Sequence, residues 1–115
     1  MRAKLVLVLA LGAACSKGPD KAAARKQAFE IWTNRCANCH GTRGAADGPQ
    51  ARLLDPPPRK LNDRAWQSSV TDEHLRKVIV DGGQSVGKSP LMAANPDLSD
   101  KPEVLDALVA YVRTL

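Results

Sequence analysis

Cys36-Ala37-Asn38-Cys39-His40 is the stretch on which the reading of this chain turns. Cys-x-x-Cys-His is the attachment pattern of a c-type haem. The spacing has a chemical reason. Two thiols three residues apart lie on one turn of backbone, where each can add to one of the two vinyl groups of a porphyrin. The next residue then lies under the iron, and its imidazole becomes the proximal ligand. The porphyrin supplies four nitrogens, so the protein need supply only one or two axial ligands. Cys36 and Cys39 are therefore the candidate attachment residues, and His40 is the candidate metal ligand.

Working outward, the chain is short: 115 residues, enough for one small domain. Aromatic residues make up only 3%, namely Phe29, Trp32, Trp66 and Tyr111. A small domain buries a modest share of its surface and often needs a cofactor, metal or disulfide to hold it. A porphyrin is a large flat hydrophobe and would supply the missing bulk. The formal charge is +5, from 17 basic and 12 acidic residues. The excess is scattered, with no long basic run and no interleaved aromatics, so nucleic acid binding is not expected. Mild basicity suits acidic partner surfaces or anionic propionates, and it equally suits an ordinary solvated surface.

The N-terminus reads as a leader. Met1-Arg2-Ala3-Lys4 is a short positive segment, Leu5 to Leu11 an apolar run, and Gly12-Ala13-Ala14 a stretch of small residues. This pattern is a secretory signal, too short to span a bilayer as a helix. Small residues before the lone Cys15 resemble a lipoprotein signal, with Cys15 the lipidated first residue; Gly12 stands where that pattern expects Leu. Cleavage nearby by an ordinary signal peptidase is the competing expectation. The division is therefore signal peptide over 1–15, polar tether over 16–20 and a folded domain over 21–115. Either route exports the chain to an oxidising compartment, the expected place being the periplasm.

Asp20 is placed to cap a helix from about Lys21 to Arg35, with Ala24, Ala28, Ile31 and Trp32 on its apolar face and Phe29 beside it. Gly41, Gly44, Gly48 and the prolines at 49, 56, 57 and 58 rule out a long helix after the motif. Only Gln50 to Leu54 has room for a helical turn. Thr71 caps a second helix to Asp81, with Leu75, Val78 and Ile79 inward, and Gly82-Gly83 ends it. Residues 84–95 read as loop. A last helix is expected from Ser99 or Asp100, with Asp100 and Glu103 as a capping pair and Leu105, Leu108, Val109 and Val112 as its apolar face.

With Ala28 and Trp32 before the motif, Gly41, Gly44, Asp47-Gly48-Pro49 and Pro56-Pro57-Pro58-Arg59 after it, and Ser89-Pro90-Leu91-Met92 in a distant loop, residues 21–115 resemble the class I cytochromes c. The resemblance implies an all-α cytochrome c fold, three to four helices wrapped around one covalently attached haem c. It implies that Ala28 and Trp32 meet Leu108 and Tyr111 where the first and last helices cross. It implies Met92 as the sixth iron ligand, the carbonyl of Pro49 as acceptor for the His40 Nδ1 hydrogen, and Arg59 and Trp66 as donors to a propionate. Pro commonly follows the ligand Met in the family; here Ala93-Ala94 follows.

The function this implies is a monohaem electron carrier, not an enzyme. It would pass single electrons between donor and acceptor redox proteins, held to a membrane if Cys15 is lipidated. Service as a subunit of a larger membrane oxidoreductase is the nearest alternative. Three others start from the same residues. A gas- or peroxide-reactive haem would need Met92 not to be a ligand, with His74 as a substitute. A thiol–disulfide oxidoreductase would use Cys36 and Cys39 after a strand, but a helix precedes them. Zinc at Cys36, Cys39 and His40 lacks a fourth ligand at finger spacing.

Overall fold

The computed structural model describes residues 20–115; the leader, Cys15 and nearly all of the tether lie outside the described residues. Five α-helices follow: α1 (Lys21–Ile31), α2 (Ala37–His40), α3 (Arg64–Ser69), α4 (Asp72–Asp81) and α5 (Pro102–Arg113). No strand occurs among the described residues, and no helix there is long and apolar enough to cross a membrane.

Asp20 caps α1 as its sequence demands, its carboxylate accepting from the amides of Ala22 and Ala23 at 3.1 and 3.2 Å. The helix does not stop before the motif. It widens into a π-helical turn over Trp32–Cys36 and continues as α2 through His40. The Ala37 amide bonds to the Trp32 carbonyl, five residues back. This one-residue slip decides which side chains face the core. Ala24, Ala28 and Trp32 are buried at four-residue spacing, and the next buried position is Ala37, five further on. An uninterrupted α-helix would have turned Cys36 inward instead. A π-turn of this kind is common at functional sites.

The α1 face packs against α5 in the most extensive helix–helix contact of the domain. Ala28 and Leu108 are each 1% exposed and belong to one cluster with Trp32, Leu105, Val109 and Val112. Tyr111 lies beside Trp32, ring centroids 5.3 Å apart, and Phe29 meets the Tyr111 ring edge-on at 5.9 Å. A small residue at 28 leaves the backbones close, and the aromatic trio fills the margin.

α4 is capped by Thr71, whose hydroxyl accepts from the His74 amide at 3.0 Å, and buries Leu75 and Ile79. Gly82 ends it at φ +85°, a left-handed conformation that suits glycine. Two expectations need correction. The last helix begins at Pro102 with Lys101 at the cap position and no side-chain cap, so Asp100 and Glu103 form no capping pair. Proline forces the residue before it out of the helical region, and Lys101 sits at φ −130°, ψ 63°. The segment 84–95 also begins inside a 3₁₀ turn, Gly83–Val86. The short α3 is an addition to the expected elements. Its signal was present, since Asp63 caps it by accepting from the amides of Ala65 and Trp66 at 2.9 and 3.3 Å.

α3 is held through a polar knot rather than an apolar stripe. Arg113 at the end of α5 donates to the Gln67 carbonyl at 2.5 Å, the Gln67 side-chain oxygen at 2.9 Å and the Val70 carbonyl at 2.7 Å. Its Nε reaches Asp72 at 2.8 Å. Gln67 in turn donates to the carbonyls of Leu61 and Val112, both at 2.9 Å. These bonds tie α3, α4 and α5 where few apolar side chains are available.

Candidate haem site

The π-turn and α2 present Cys36, Cys39 and His40 half-buried on one side of the helix, with Ala37 turned to the core. Both cysteines are free thiols. Burial pushes the Cys36 thiol up to about 11, against a smaller lowering by Arg35. A disulfide-exchange nucleophile needs its thiol pKa lowered, so the shift here is opposite to what that chemistry requires.

The surroundings of His40 disfavour its charged form. Burial lowers its pKa below the ordinary value, while a backbone hydrogen bond acts the other way. That bond joins Nδ1 to the Arg59 carbonyl at 2.8 Å. A carbonyl can only accept, so Nδ1 carries the hydrogen and Nε2 keeps its lone pair for a metal. The acceptor is Arg59, not Pro49 as the resemblance implied. Pro49 is exposed, and its loop is committed to a different task. Gly48 N–H donates to Cys39 O at 3.2 Å and Gln50 N–H to Asn38 O at 2.9 Å, so residues 48–50 close the free carbonyls at the end of α2. Gly48 must be glycine for this: a Cβ there would lie 2.4 Å from the carbonyl oxygens of both Ala37 and Asn38.

Ala46 completes the cradle. Its N–H donates to His40 O at 2.8 Å, and it adopts φ +61°, rare for a residue with a Cβ. Nothing in the sequence marked it.

Arg59 and Trp66 are brought together, the guanidinium carbon 5.6 Å from the centre of the indole ring. Arg59 is exposed and Trp66 half-buried. Met92 is half-buried in the segment after α4, its carbonyl accepting from the Gly83 amide at 3.0 Å. His74 is half-buried in the first turn of α4.

A family model for cytochrome c matches residues 26–115. The chain belongs to the cytochrome c family. Comparison with curated proteins and with solved structures gives no match. The matched span runs from the middle of α1 through α5, and family membership makes this a haem c electron-transfer protein with an all-α cytochrome c fold. Covalently bound haem c belongs at Cys36 and Cys39.

The side chains of this cytochrome c fit that group. Two unpaired thiols and one imidazole with a free Nε2 form the donor set. Trp32, stacked 6.5 Å from the His40 ring at 28°, is buried with its indole Nε1 lacking any partner. A buried donor without an acceptor is costly. Such a donor beside the attachment motif suits a cofactor that carries carboxylates.

Proposed function

We propose that this chain is an exported, periplasmic electron carrier with His40 and Met92 as axial ligands, passing single electrons between redox proteins. The observation that carries the reading is the bond from His40 Nδ1 to the Arg59 carbonyl at 2.8 Å, which reserves Nε2 for iron. When bound, the haem supplies a one-electron iron couple whose potential depends on axial ligands and burial. The residues then do the following. Cys36 and Cys39 would hold the haem by two thioether links. The π-turn holds both sulfurs to one side of a rigid helix. The Gly48–Gln50 amides cap α2, so the ligand-bearing turn does not fray. The burial that disfavours the charged form of His40 also limits water at its ring. Met92 would offer a thioether to the iron from the segment that follows α4, leaving no position there for a substrate.

Transfer is then outer-sphere, through small and transient contacts with partner proteins. A lipid on Cys15 would hold the carrier at a membrane and raise its effective concentration near membrane-bound partners. The chain would act alone or as a tethered subunit through the same residues.

Spectroscopy of the purified holoprotein tests the reading. Haem should survive denaturation on the polypeptide and be lost from it when Cys36 and Cys39 are both replaced by Ser. The ferric protein should show the weak red-end band of thioether sulfur on iron, and Met92→Ala should abolish it. Retention of that band in Met92→Ala would sink the ligand assignment. A mass for the membrane-extracted protein lacking residues 1–14 and carrying acyl chains is expected; an unmodified soluble chain would remove the anchor.

A further inference from the structure

Met92 closes a local turn, its amide donating to Ser89 O at 3.3 Å and the Leu91 amide to Ser89 Oγ at 3.1 Å, but the residues after it lack such support. Ala93 and Ala94 follow it, both exposed, and neither has a side chain to anchor. Beyond that turn, contacts with other parts of the chain hold the segment. At its N-terminal side, Gly83 N–H donates to Met92 O at 3.0 Å and Lys88 N–H to Gly83 O at 2.9 Å. At its C-terminal side, Asn95 is tied to the end of α4, its amide reaching the carbonyls of Ile79 and Val80 at 3.1 and 2.9 Å and its side-chain nitrogen Ile79 O at 2.8 Å. A third tie comes from the other half of the site. Arg35, the residue before Cys36, forks onto both carboxylate oxygens of Asp97 at 3.0 and 3.1 Å and adds a bond to Asn95 Oδ1 at 3.1 Å.

We propose that Arg35 is a positioning residue for Met92: it links the helix that carries Cys36 and His40 to the segment that carries the second ligand, and so sets how firmly that thioether is held. The inference rests on the reading of Met92 as ligand. A bidentate arginine–carboxylate pair fixes orientation as well as distance, which a point-charge contact would not. Both partners are also half exposed, at 44% each. Exposed pairs add little to global stability. The fork therefore matters more for where two segments sit than for whether the domain folds. The Arg76–Asp106 pair between α4 and α5 is similarly exposed and touches neither segment, which makes it the control.

The test uses reduced holoprotein titrated with carbon monoxide at neutral pH, together with the red-end band of the ferric form and the melting temperature. Arg35→Ala should raise carbon monoxide affinity roughly threefold to tenfold and weaken the band, with melting nearly unchanged, the range following from one exposed fork and one added hydrogen bond. Arg35→Lys should restore part of the effect, since ammonium cannot fork. Asp97→Asn should act in the same direction without touching the helix before the motif, and covers the case in which Arg35→Ala does not take up haem. Arg76→Ala should match wild type, and Met92→Ala should bind carbon monoxide most tightly. If Met92→Ala gains affinity while Arg35→Ala and Asp97→Asn match wild type, the positioning role is overturned and the ligand assignment stands. If Met92→Ala itself matches wild type, the ligand assignment falls and the role of Arg35 with it.

Discussion

Replacing Gly48 with alanine should cost this cytochrome about 3 kcal/mol, although nothing in the backbone conformation forbids the change. Gly48 is not among the residues with positive φ. On conformational grounds alone, Gly→Ala at such a site stabilises by about 0.4–1 kcal/mol through the unfolded chain. The penalty comes from close approach. The new Cβ would sit 2.4 Å from Ala37 O and Asn38 O and 2.5 Å from Asn38 C, all backbone atoms that cannot swing away. Ordinary contact begins near 3.4 Å, so the loop must retreat by about 1 Å. That movement carries Gly48 N from 3.2 Å and Gln50 N from 2.9 Å beyond hydrogen-bond distance of Cys39 O and Asn38 O. Two lost bonds cost about 2 kcal/mol. Residual overpacking adds about 1–3 kcal/mol, and the unfolded-state gain offsets part of it. For a domain of this size about 3 kcal/mol lowers melting by roughly 12–24 °C. Thermal unfolding of the holoprotein, followed by far-UV circular dichroism, measures this. Gly87→Ala is the comparison, since Gly87 has φ +72° and open space around it, so it tests left-handed strain alone. If Gly48→Ala melts within two degrees of wild type, or above Gly87→Ala, the loop does not cap α2 as described.

Gly83→Ala would set a Cβ 2.2 Å from Ser89 O and 3.3 Å from Met92 Cβ, so the red-end band of the ferric protein should weaken while haem attachment is retained. Arg113→Met should leave the Gln67 and Val70 carbonyls short of a donor and cost about 2 kcal/mol in urea unfolding with an unchanged m-value. The fork from Arg35 holds the Asp97 carboxyl below its ordinary 3.8. A lowered folded pKa gives stability that is present above the unfolded value and is lost as pH falls through the folded one. The pair is exposed, so the stability difference between wild type and Asp97→Asn should be small, present at pH 5–7 and shrinking below about pH 4; a difference that grows on acidification would reverse the sign.

Much of the fold is visible in short-range pattern. Asp20 and Thr71 announce their helices because a side-chain acceptor two or three residues before free amides works in any context. Ala24, Ala28 and Trp32, and Leu105, Leu108 and Val112, mark their buried faces because helical periodicity is local. Asp63 carried the same capping signal for α3, but the helix is too short for a periodic face to support it. Pro102 carried the correct start of α5 through its effect on Lys101, and the pairing of Asp100 with Glu103 obscured it. The acceptor for His40 is hidden from the sequence for another reason. One backbone carbonyl looks like any other in a sequence, and the choice between Pro49 and Arg59 depends on how a loop returns to the motif.

Residue type and spacing are enough to give the cofactor chemistry, the helical class and the two faces that build the α1–α5 contact. Tertiary structure alone decided the π-turn that keeps Ala37 inward and leaves Cys36 at the side of the helix. It also decided the Arg59 carbonyl that sets the His40 tautomer, and the fork by which Arg35 reaches Asp97 across 62 residues of chain. The first is a bond between neighbours on one helix and the other two join segments far apart in sequence, and no residue pattern encodes these choices of partner.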